Sequence, residues 1–501
     1  MDMMLALIGL GVASVGELLL WFTPVWRMRQ LFATLLIIAL SLLSGTITGA
    51  HFSGWAIILL IFSMYRMINL LRLVEGRTQA DYLFAVSKRS SLWLIGLQLM
   101  VLLLARINHI YHIRSIVWLY ALGLFQLVAA STVLASTLRH LRTTKPPAIK
   151  EHYADRDLPT LSVCIPARNE TEDLEACLQS LIISNYPKLE ILVLDDCSQN
   201  KRTPEIIRAF AQDGVRFVDG KVPPERWLAK NYAYKQLVDE ASGELLLFCG
   251  ADTRFQPESL RIMVETLLAK RKTMLSIIPR NKLPSIWDLS SLVIQPARYA
   301  WELSLPRRWL QRPAVLSTCW LITAKALHAA GGFKAVNHNA SPESFFARYS
   351  AQHDDGYSFV QSNPSLRLLS VKSFTEQRAT AVRTRYPQTH RRPEVVALLS
   401  LVELAVLILP FIVIIGSVLT HSWLLLALSA VAAVSVDLAY AKTTELTYRH
   451  FIWRSIWLLP VAAIYDIGLL NYSMWRYEFR DVIWKERNVC IPLMHAVPEK
   501  P

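Results

Sequence analysis

The chain has 501 residues, of which 53% are hydrophobic, and it carries a formal net charge of +14. A mean hydropathy of +0.31 and this length exclude a single ordinary domain and a wholly water-soluble protein, so we predict an integral membrane protein. The six cysteines show no Cys-x-x-Cys spacing, and no stretch interleaves aromatic with basic residues, which argues against a disulfide framework, a zinc site and a nucleic-acid partner.

Apolar stretches long enough to cross a bilayer, or nearly so, lie at both ends of the chain. They cover residues 4–22, 31–50, 53–71, 91–105, 115–138, 395–419 and 422–441. Basic residues follow the first, third and fifth stretches, whereas the turn at 50–54 is uncharged; the turn with Arg106 and Arg114 is the exception to this alternation. Because cytoplasmic loops carry the excess of Lys and Arg, we predict a multi-pass protein with residues 139–394 in the cytoplasm.

A further apolar stretch at 451–474 has a different character, since it contains Arg454, Asp466 and several aromatic residues. An eighth crossing there would also place the basic tail outside the cell, against the charge rule. Charge is costly in hydrocarbon and aromatic rings favour the headgroup level, so we predict an interfacial or re-entrant segment followed by a cytoplasmic tail.

The region between the two membrane parts alternates short apolar runs with amphipathic ones. Strands are predicted at 161–167, 189–194, 215–218 and 244–249, with helical patterns between them. Strands that are linked through helices pair in parallel, and parallel sheets bind ligands beyond their carboxyl ends. The polar residues that follow the strands, at 168–170, 195–196 and 252, should therefore converge on one edge of the sheet.

Four short motifs in this region occur in an informative order. They are Ile165-Pro-Ala-Arg-Asn-Glu170, Leu194-Asp-Asp-Cys-Ser198, Trp227-Leu-Ala-Lys-Asn-Tyr-Ala233 and Gly250-Ala-Asp-Thr253. Together they resemble the family 2 inverting glycosyltransferases of the GT-A fold, and within them the membrane-bound, lipid-modifying branch that includes ceramide glucosyltransferase-like and carotenoid- or hopanoid-associated enzymes. The resemblance covers about residues 159–390, with a weaker echo at 484–487. It implies an α/β, Rossmann-like, mostly parallel sheet domain inserted between transmembrane helices.

The resemblance also implies a site for a nucleotide-sugar donor, with UDP as the expected nucleotide. The positions that match are Pro166, Arg168, Glu170, Asp195, Asp196, Lys230, Asp252 and Arg383. Carboxylates at strand ends accept hydrogen bonds from a base or from ribose hydroxyls. Two alternatives remain open: the paired acids cap a strand-to-loop turn, and the lysine lies on a solvated helix face.

In such a family a divalent metal is usually held by an Asp-x-Asp motif. This chain has Gly250-Ala-Asp252, so the first acid is missing and Asp252 is the expected ligand of Mg²⁺ or Mn²⁺. The alternative is that Asp252 caps a turn before Pro257.

The resemblance places the catalytic base in an acidic pair that follows a Gly-Gly-Phe turn. After Gly331-Gly-Phe333 the first acid is Glu343, while the second has become Ser344. As a base, Glu343 would take the acceptor proton while the hydroxyl attacks the anomeric carbon with inversion. Asp354 and Asp355 are rival candidates, although the Gly that follows them favours a turn.

A cation is needed to stabilise the leaving diphosphate. The Gln-x-x-Arg-Trp motif of polymer-making relatives is absent, and residues 383–386, Arg-Thr-Arg-Tyr, occupy the expected place. Arg385 is therefore the predicted catalytic arginine, because its fork of donors suits a diphosphate; contact with lipid phosphates is the alternative. Trp320 either borders the acceptor channel or is a buried aromatic.

These observations predict five regions. They are a membrane region of about five helices at 1–140, a linker at 141–158, a GT-A domain at 159–392, membrane helices at 393–441, and an interfacial or re-entrant segment with a tail at 442–501. The predicted function is transfer of a sugar to a lipid acceptor with inversion, at the cytoplasmic face of what we expect to be a bacterial plasma membrane. A processive polysaccharide synthase and a noncatalytic glycosyltransferase-like module are the alternatives.

Overall fold

The computed structural model describes most of the chain. The described residues are 2–22, 32, 34–40, 43, 54–74, 81–147, 152–224, 227–282, 290–305, 313–353, 356–448, 455, 457–479 and 481–490. Most of the predicted span at 31–50 and the rival acids Asp354 and Asp355 lie outside these residues.

Among the described residues, four helices with defined bounds precede the sheet domain, and residues 34–40 are helical as well. The four are α1 (Asp2–Phe22), α2 (Gly54–Val74), α3 (Asp81–Ile110) and α4 (Ser115–Thr143). Helix α3 is much longer than the apolar stretch at 91–105, because the polar residues that interrupt its hydrophobicity are buried inside the bundle. Asn69 on α2, for example, donates to the carbonyl of Ser87 and to the hydroxyl of Ser91, both at 2.9 Å.

Among the described residues, five helical stretches are long and apolar enough to cross a membrane. They are 55–72, 84–110, 115–143, 393–419 and 423–448. This finding supports a membrane protein, and α1 contributes a shorter apolar stretch at 8–21. The orientation of these helices relative to the cytoplasm stays a prediction.

The central domain is built on a seven-stranded sheet in the order β3-β2-β1-β4-β8-β6-β9. The strands are β1 (Leu161–Ala167), β2 (Leu189–Asp195), β3 (Val215–Asp219), β4 (Leu245–Cys249), β6 (Met274–Ile278), β8 (Cys319–Thr323) and β9 (Tyr357–Gln361). Only β8 runs against its neighbours in this sheet. Successive side chains of each strand point to opposite faces, so two apolar layers form, one containing Val163 and Ile165 and the other Cys164 and Leu194.

The helices of the domain pack on both layers. They are α5 (Glu172–Ile182), α6 (Arg202–Ala209), α7 (Ala229–Glu240), α8 (Ser259–Ala269), α9 (Ser291–Ser304), α10 (Ala324–Ala329), α11 (Pro342–Gln352) and α12 (Phe374–Gln388). Helix α12 begins with a reciprocal capping box between Ser373 and Glu376. The register pairs Ala167 with Asp195, and Asp195 with Asp219, so these three strands end at the same level and their following residues share one edge.

A second, three-stranded sheet lies beside that edge. Its strands are β5 (Thr253–Arg254), β7 (Arg280–Asn281) and β10 (Leu369–Ser370), with β10 in the middle. Because Ser370 pairs with Thr253, this sheet brings the chain near residue 370 next to the end of β4.

The remaining elements follow the domain. They are α13 (Pro393–Glu403), a π-helical turn (Leu404–Ile408), α14 (Leu409–Leu419), α15 (Trp423–Tyr448), α16 (Leu459–Glu478), and a hairpin of β11 (Ile483–Trp484) and β12 (Arg487–Asn488). Proline is the second residue of α14 and α16, where its missing N–H costs little. Helix α16 is not one of the five membrane-length stretches and packs against α12 through the contact of Tyr386 with Ser473. The hairpin then returns to the carboxyl edge of the main sheet.

Candidate active site

Two adjacent acids end β2 and lie buried at the sheet edge. Asp195 accepts a hydrogen bond from the backbone N–H of Ser198 at 3.2 Å, as a strand-to-loop cap does. Asp196 instead accepts hydrogen bonds from the guanidinium of Arg487. The Nη1 atom of Arg487 lies 2.8 and 2.7 Å from the two carboxylate oxygens of Asp196. Burial raises the pKa of Asp196, and Arg487 opposes that rise.

The hairpin at the end of the chain supplies this arginine and a lysine. Lys485 pairs with Glu170, and burial raises the pKa of Glu170 against the influence of Lys485. The hairpin tip is formed by Lys485 and Glu486 in left-handed conformations, with φ of 45° and 66°. These two cations were not among the predicted site residues. The weak resemblance to the family at 484–487 was the only indication that this segment belongs to the site.

Arg168 connects the hairpin to the sheet edge. Its guanidinium donates to the carbonyls of Asp196 and Cys197, both at 2.6 Å, and to the carbonyl of Lys485 at 2.9 Å. We expected Arg168 to contact the nucleotide, whereas the structure engages it with three backbone carbonyls. In this structure Arg168 therefore holds the hairpin tip against the loop that follows β2. Pro166 lies within β1, opposite Leu194.

Asp252 follows β4 and has two polar neighbours that the sequence analysis missed. Ser370 donates to its Oδ2 at 3.0 Å, and the ammonium of Lys372 lies 3.6 Å from the same atom. Burial raises the pKa of Asp252, but Lys372 and Ser370 lower it more, so this pKa lies below its ordinary value. The carboxylate turns back over Gly250, where an added Cβ would lie 2.4 Å from Oδ1. A side chain at position 250 is therefore incompatible with this placement of Asp252.

Metal ligation is limited by this arrangement. Within the part of the chain that the structure describes, no three or more His, Cys, Asp or Glu side chains are grouped so as to hold a metal ion. Magnesium sites in phosphate chemistry often use only one or two carboxylates together with phosphate oxygens. The single ionised carboxylate of Asp252 fits such a site, with the donor diphosphate as the other ligand.

A pocket of about 50 Å³ lies beside Arg487, the partner of Asp196. Its wall includes Lys230 from α7, Arg383 from α12, and Trp484 and Arg487 from the hairpin. The Arg383 guanidinium stacks over the Trp484 ring at 4.6 Å. Burial lowers the pKa of Lys230 to about 8, against the opposing effect of Glu343. Three cationic side chains thus line one pocket, as binding of a diphosphate requires.

Glu343 lies near this pocket, in the first turn of α11. It is 4% exposed, and its Oε2 has no hydrogen-bond partner among the described residues. Burial raises the pKa of Glu343, although Lys230 opposes the rise. Asn231 holds the preceding loop by donating to the carbonyls of Val336 and Asn339 at 2.7 and 2.8 Å. A buried carboxylate with a free oxygen and a raised pKa has the properties of a general base.

Two predicted site residues lie elsewhere. Arg385 points away from the pocket of Lys230 and Arg383; it pairs with Asp466 and lies 5.7 Å from the Trp301 ring. Residues two positions apart on a helix do not face each other, so Arg383 and Arg385 cannot share one ligand face. Trp320 is fully buried in the core and stacks on Phe248 at 4.2 Å, which matches the alternative of a buried aromatic and not a channel residue.

Comparisons with known proteins find similarity over part of the chain. Residues 162–330 match the sequence model of the family described as Glycosyl transferase family 2. Glycosyltransferase AglE of Haloferax volcanii is 32% identical over 114 residues, which are 22% of this chain and 36% of that protein. A poly-beta-1,6-N-acetyl-D-glucosamine synthase of Staphylococcus epidermidis is 31% identical over 143 residues, which are 28% of this chain and 32% of that protein. The chain thus spans about a third of the length of these curated relatives.

Among solved structures, the mannosyltransferase PcManGT from Pyrobaculum calidifontis, in complex with GDP-Man and Mn²⁺, aligns with 71% of this chain and 99% of its own. The identity is 18% and the TM-score 0.42. The family match and the mostly parallel sheet confirm the predicted GT-A-like fold class and a family 2 domain in this chain.

Proposed function

We propose that this chain is a membrane glycosyltransferase that transfers one sugar from a nucleotide-sugar donor, with UDP as the expected nucleotide, to a lipid acceptor with inversion. The observation that carries the proposal is the pocket of Lys230, Arg383 and Arg487 at the carboxyl edge of a family 2 domain, where Arg487 pairs with Asp196 and Lys230 interacts electrostatically with Glu343 and Asp252. Several membrane-length helices adjoin that domain, which supports an acceptor that lies in the bilayer. The cytoplasmic orientation of the domain is part of the proposal.

Donor binding is assigned to the acids and cations at the sheet edge. Asp195 and Asp196 would accept hydrogen bonds from the base and ribose, while Lys230 and Arg383 would neutralise the diphosphate. Arg383 takes over the leaving-group role that we first predicted for Arg385, because Arg383 lines the pocket. Removal of such a preorganised donor typically costs on the order of 10²-fold or more in rate.

Asp252 would be the protein ligand of a divalent metal. When bound, Mg²⁺ or Mn²⁺ supplies charge stabilisation for the leaving diphosphate. Lys372 is 3.6 Å from the same carboxylate and adds a positive charge beside a motif whose usual first acid is missing.

Glu343 would act as the base. Its unpartnered Oε2 would accept the proton of the acceptor hydroxyl as that oxygen attacks the anomeric carbon opposite the diphosphate. Because its pKa is raised by burial, the carboxylate is more basic than that of an exposed glutamate.

A processive polysaccharide synthase is the second candidate, favoured by the similarity to the Staphylococcus epidermidis synthase. The absence of Gln-x-x-Arg-Trp, the motif that marks the polymer-making relatives, argues against it. Product size separates the two: a single added sugar supports the lipid reaction, and a ladder of products supports the synthase.

The test is nucleotide release by the purified, detergent-solubilised protein with a panel of UDP-sugars and a mixed membrane lipid extract, with and without Mn²⁺ or Mg²⁺. We expect release that needs the lipid and the metal and that is lost in Asp252→Asn and Glu343→Gln. If folded protein binds UDP but turns over none of the UDP-, GDP- and dTDP-sugars, the noncatalytic alternative becomes the favoured one.

A further inference from the structure

A second cavity, of about 180 Å³, lies among the helices that flank the sheet domain. Its wall comes from α4, α9, α13 with the π-helical turn, α15 and α16. Three of these elements belong to membrane-length stretches. The wall is mainly apolar, with residues such as Ala129, Val406 and Ala462. An apolar cavity of about 150 Å³ is enough for a benzene molecule, so this one admits part of a hydrocarbon chain.

One face of helix α9 forms part of the wall of this cavity. Ala297, Ala300, Trp301 and Ser304 all line the cavity. Their spacing of i, i+3, i+4 and i+7 places them on one face of the helix. The adjacent residue Arg298 turns the other way and contacts Ser317 at 3.3 Å. Ser317 lines the pocket of Lys230 and Arg383, called the donor pocket here, so α9 lines the larger cavity and contacts the wall of the donor pocket.

Helix α12 joins the two cavities in the same way. Arg383 and Thr384 line the donor pocket, whereas Arg385 pairs with Asp466, which lines the larger cavity. The arginine that did not fit the donor site therefore marks the boundary between the two cavities.

Two buried polar atoms of residues that line the larger cavity lack partners among the described residues. They are Oε2 of Glu403 and Nε1 of Trp301. Glu403 is only 8% exposed, and a buried unpartnered carboxylate oxygen in an apolar wall requires an explanation.

The backbone beside Glu403 is also unusual. The π-helical turn at residues 404–408 begins at the next residue. Pro410 follows, and it has no N–H for the carbonyl four residues earlier, which accounts for the interruption of the α-helix. Such π-helical turns occur frequently at functional sites.

We propose that this cavity binds the apolar chain of a lipid, and that Glu403 Oε2 accepts a hydrogen bond from an O–H or N–H near the head of that lipid. The ligand class is an amphiphile with one hydrogen-bond donor at the junction of chain and head. The identification of this lipid as the sugar acceptor depends on the proposed function; the binding itself does not.

The test uses a probe that needs no sugar transfer: 1-hexadecanol with a diazirine in its chain, and its methyl ether for comparison. The full chain in detergent is irradiated with each probe, and labelled peptides are identified by mass spectrometry. Ala129→Phe fills the cavity, and Ala135→Phe is the matched control, because Ala135 is exposed on the same helix α4. Thermal unfolding checks that both variants are folded.

We expect labelling of cavity-lining peptides that Ala129→Phe abolishes and Ala135→Phe leaves intact. The alcohol should be captured about fivefold better than its ether, since one net hydrogen bond has about that effect, and Glu403→Leu should remove the difference. Equal labelling in both phenylalanine variants, or equal capture of alcohol and ether by the unaltered protein, would overturn the proposal. If labelling behaves as expected while no nucleotide sugar is turned over, only the proposed function fails.

Discussion

The pH dependence of the reaction offers a direct test of Lys230. Burial lowers the pKa of Lys230 to about 8, whereas burial raises the pKa of Glu343 above its ordinary value. The base must be ionised and the lysine protonated for transfer. kcat/KM should therefore rise as pH increases through the pKa of Glu343 and fall again as pH passes the pKa of Lys230.

The size of the decrease in kcat/KM at alkaline pH follows from the pKa of Lys230. With a pKa of about 8, Lys230 is about nine-tenths protonated at pH 7 and about one-tenth protonated at pH 9, so kcat/KM should fall about tenfold. Lys230→Arg places a permanent charge at the same position, because a guanidinium does not lose its proton in this range. The decrease should then disappear, even if the absolute rate is lower.

The assay is nucleotide release at low donor concentration between pH 5 and pH 10, since kcat/KM reports the free enzyme. In the donor complex the diphosphate charge should raise the pKa of Lys230, so the alkaline limb of kcat should lie at higher pH. Lys372→Arg is the matched control, because burial lowers the pKa of Lys372 too. An alkaline limb that persists in Lys230→Arg and disappears in Lys372→Arg would refute the reasoning and assign the titration to the other lysine.

Three further outcomes follow from the site. Glu343→Gln should reduce kcat by about 10²- to 10⁴-fold with UDP affinity unchanged, as measured by turnover and calorimetry; an equal loss of affinity would contradict its role as base. Arg487→Ala should weaken UDP binding at least tenfold, roughly the effect of one charge-assisted bond, whereas Arg476→Ala, a partly exposed control with its own partner, should not; equal effects would contradict a donor-site role. Gly250→Asp should lower metal-stimulated release, because Asp252 has to move; a higher rate would show that the missing acid limits activity.

The sheet and its site edge were predictable because they depend on local patterns. The strands at 161–167 and 189–195 are continuous apolar runs that end abruptly in acids, and parallel pairing brings their ends to one level. The prediction that Asp195, Asp196 and Asp252 follow strands of one sheet rested on that argument alone. Helix α3 is longer than the apolar stretch predicted at 91–105. Its buried polar residues interrupt the hydropathy pattern and therefore look like the end of a helix.

The cations around the site were harder to predict. Lys372 reaches Asp252 only because β10 pairs with β5, which is a pairing over more than 110 residues of chain. Lys485 and Arg487 approach from the hairpin, about 300 residues after the acids that they contact. A lysine or arginine in a polar segment gives no sequence signal of its partner, so such long-range pairs become visible only in three dimensions.

The structure also suggests why this chain has so many helices before its sheet domain. Arg72, near the end of α2, is 1% exposed and donates to both oxygens of Glu478 at 2.8 and 2.7 Å. It also bonds Tyr386 and the carbonyl of Arg391. Glu478 ends α16 just before the hairpin, and Tyr386 lies on α12 three residues after Arg383, so one buried arginine ties α2 to both elements that carry cations of the donor pocket. Breaking a buried ion pair typically costs about 3–5 kcal/mol. Helix α2 therefore acts as a support that fixes the hairpin and α12 against the sheet edge, which a simple membrane anchor would not do.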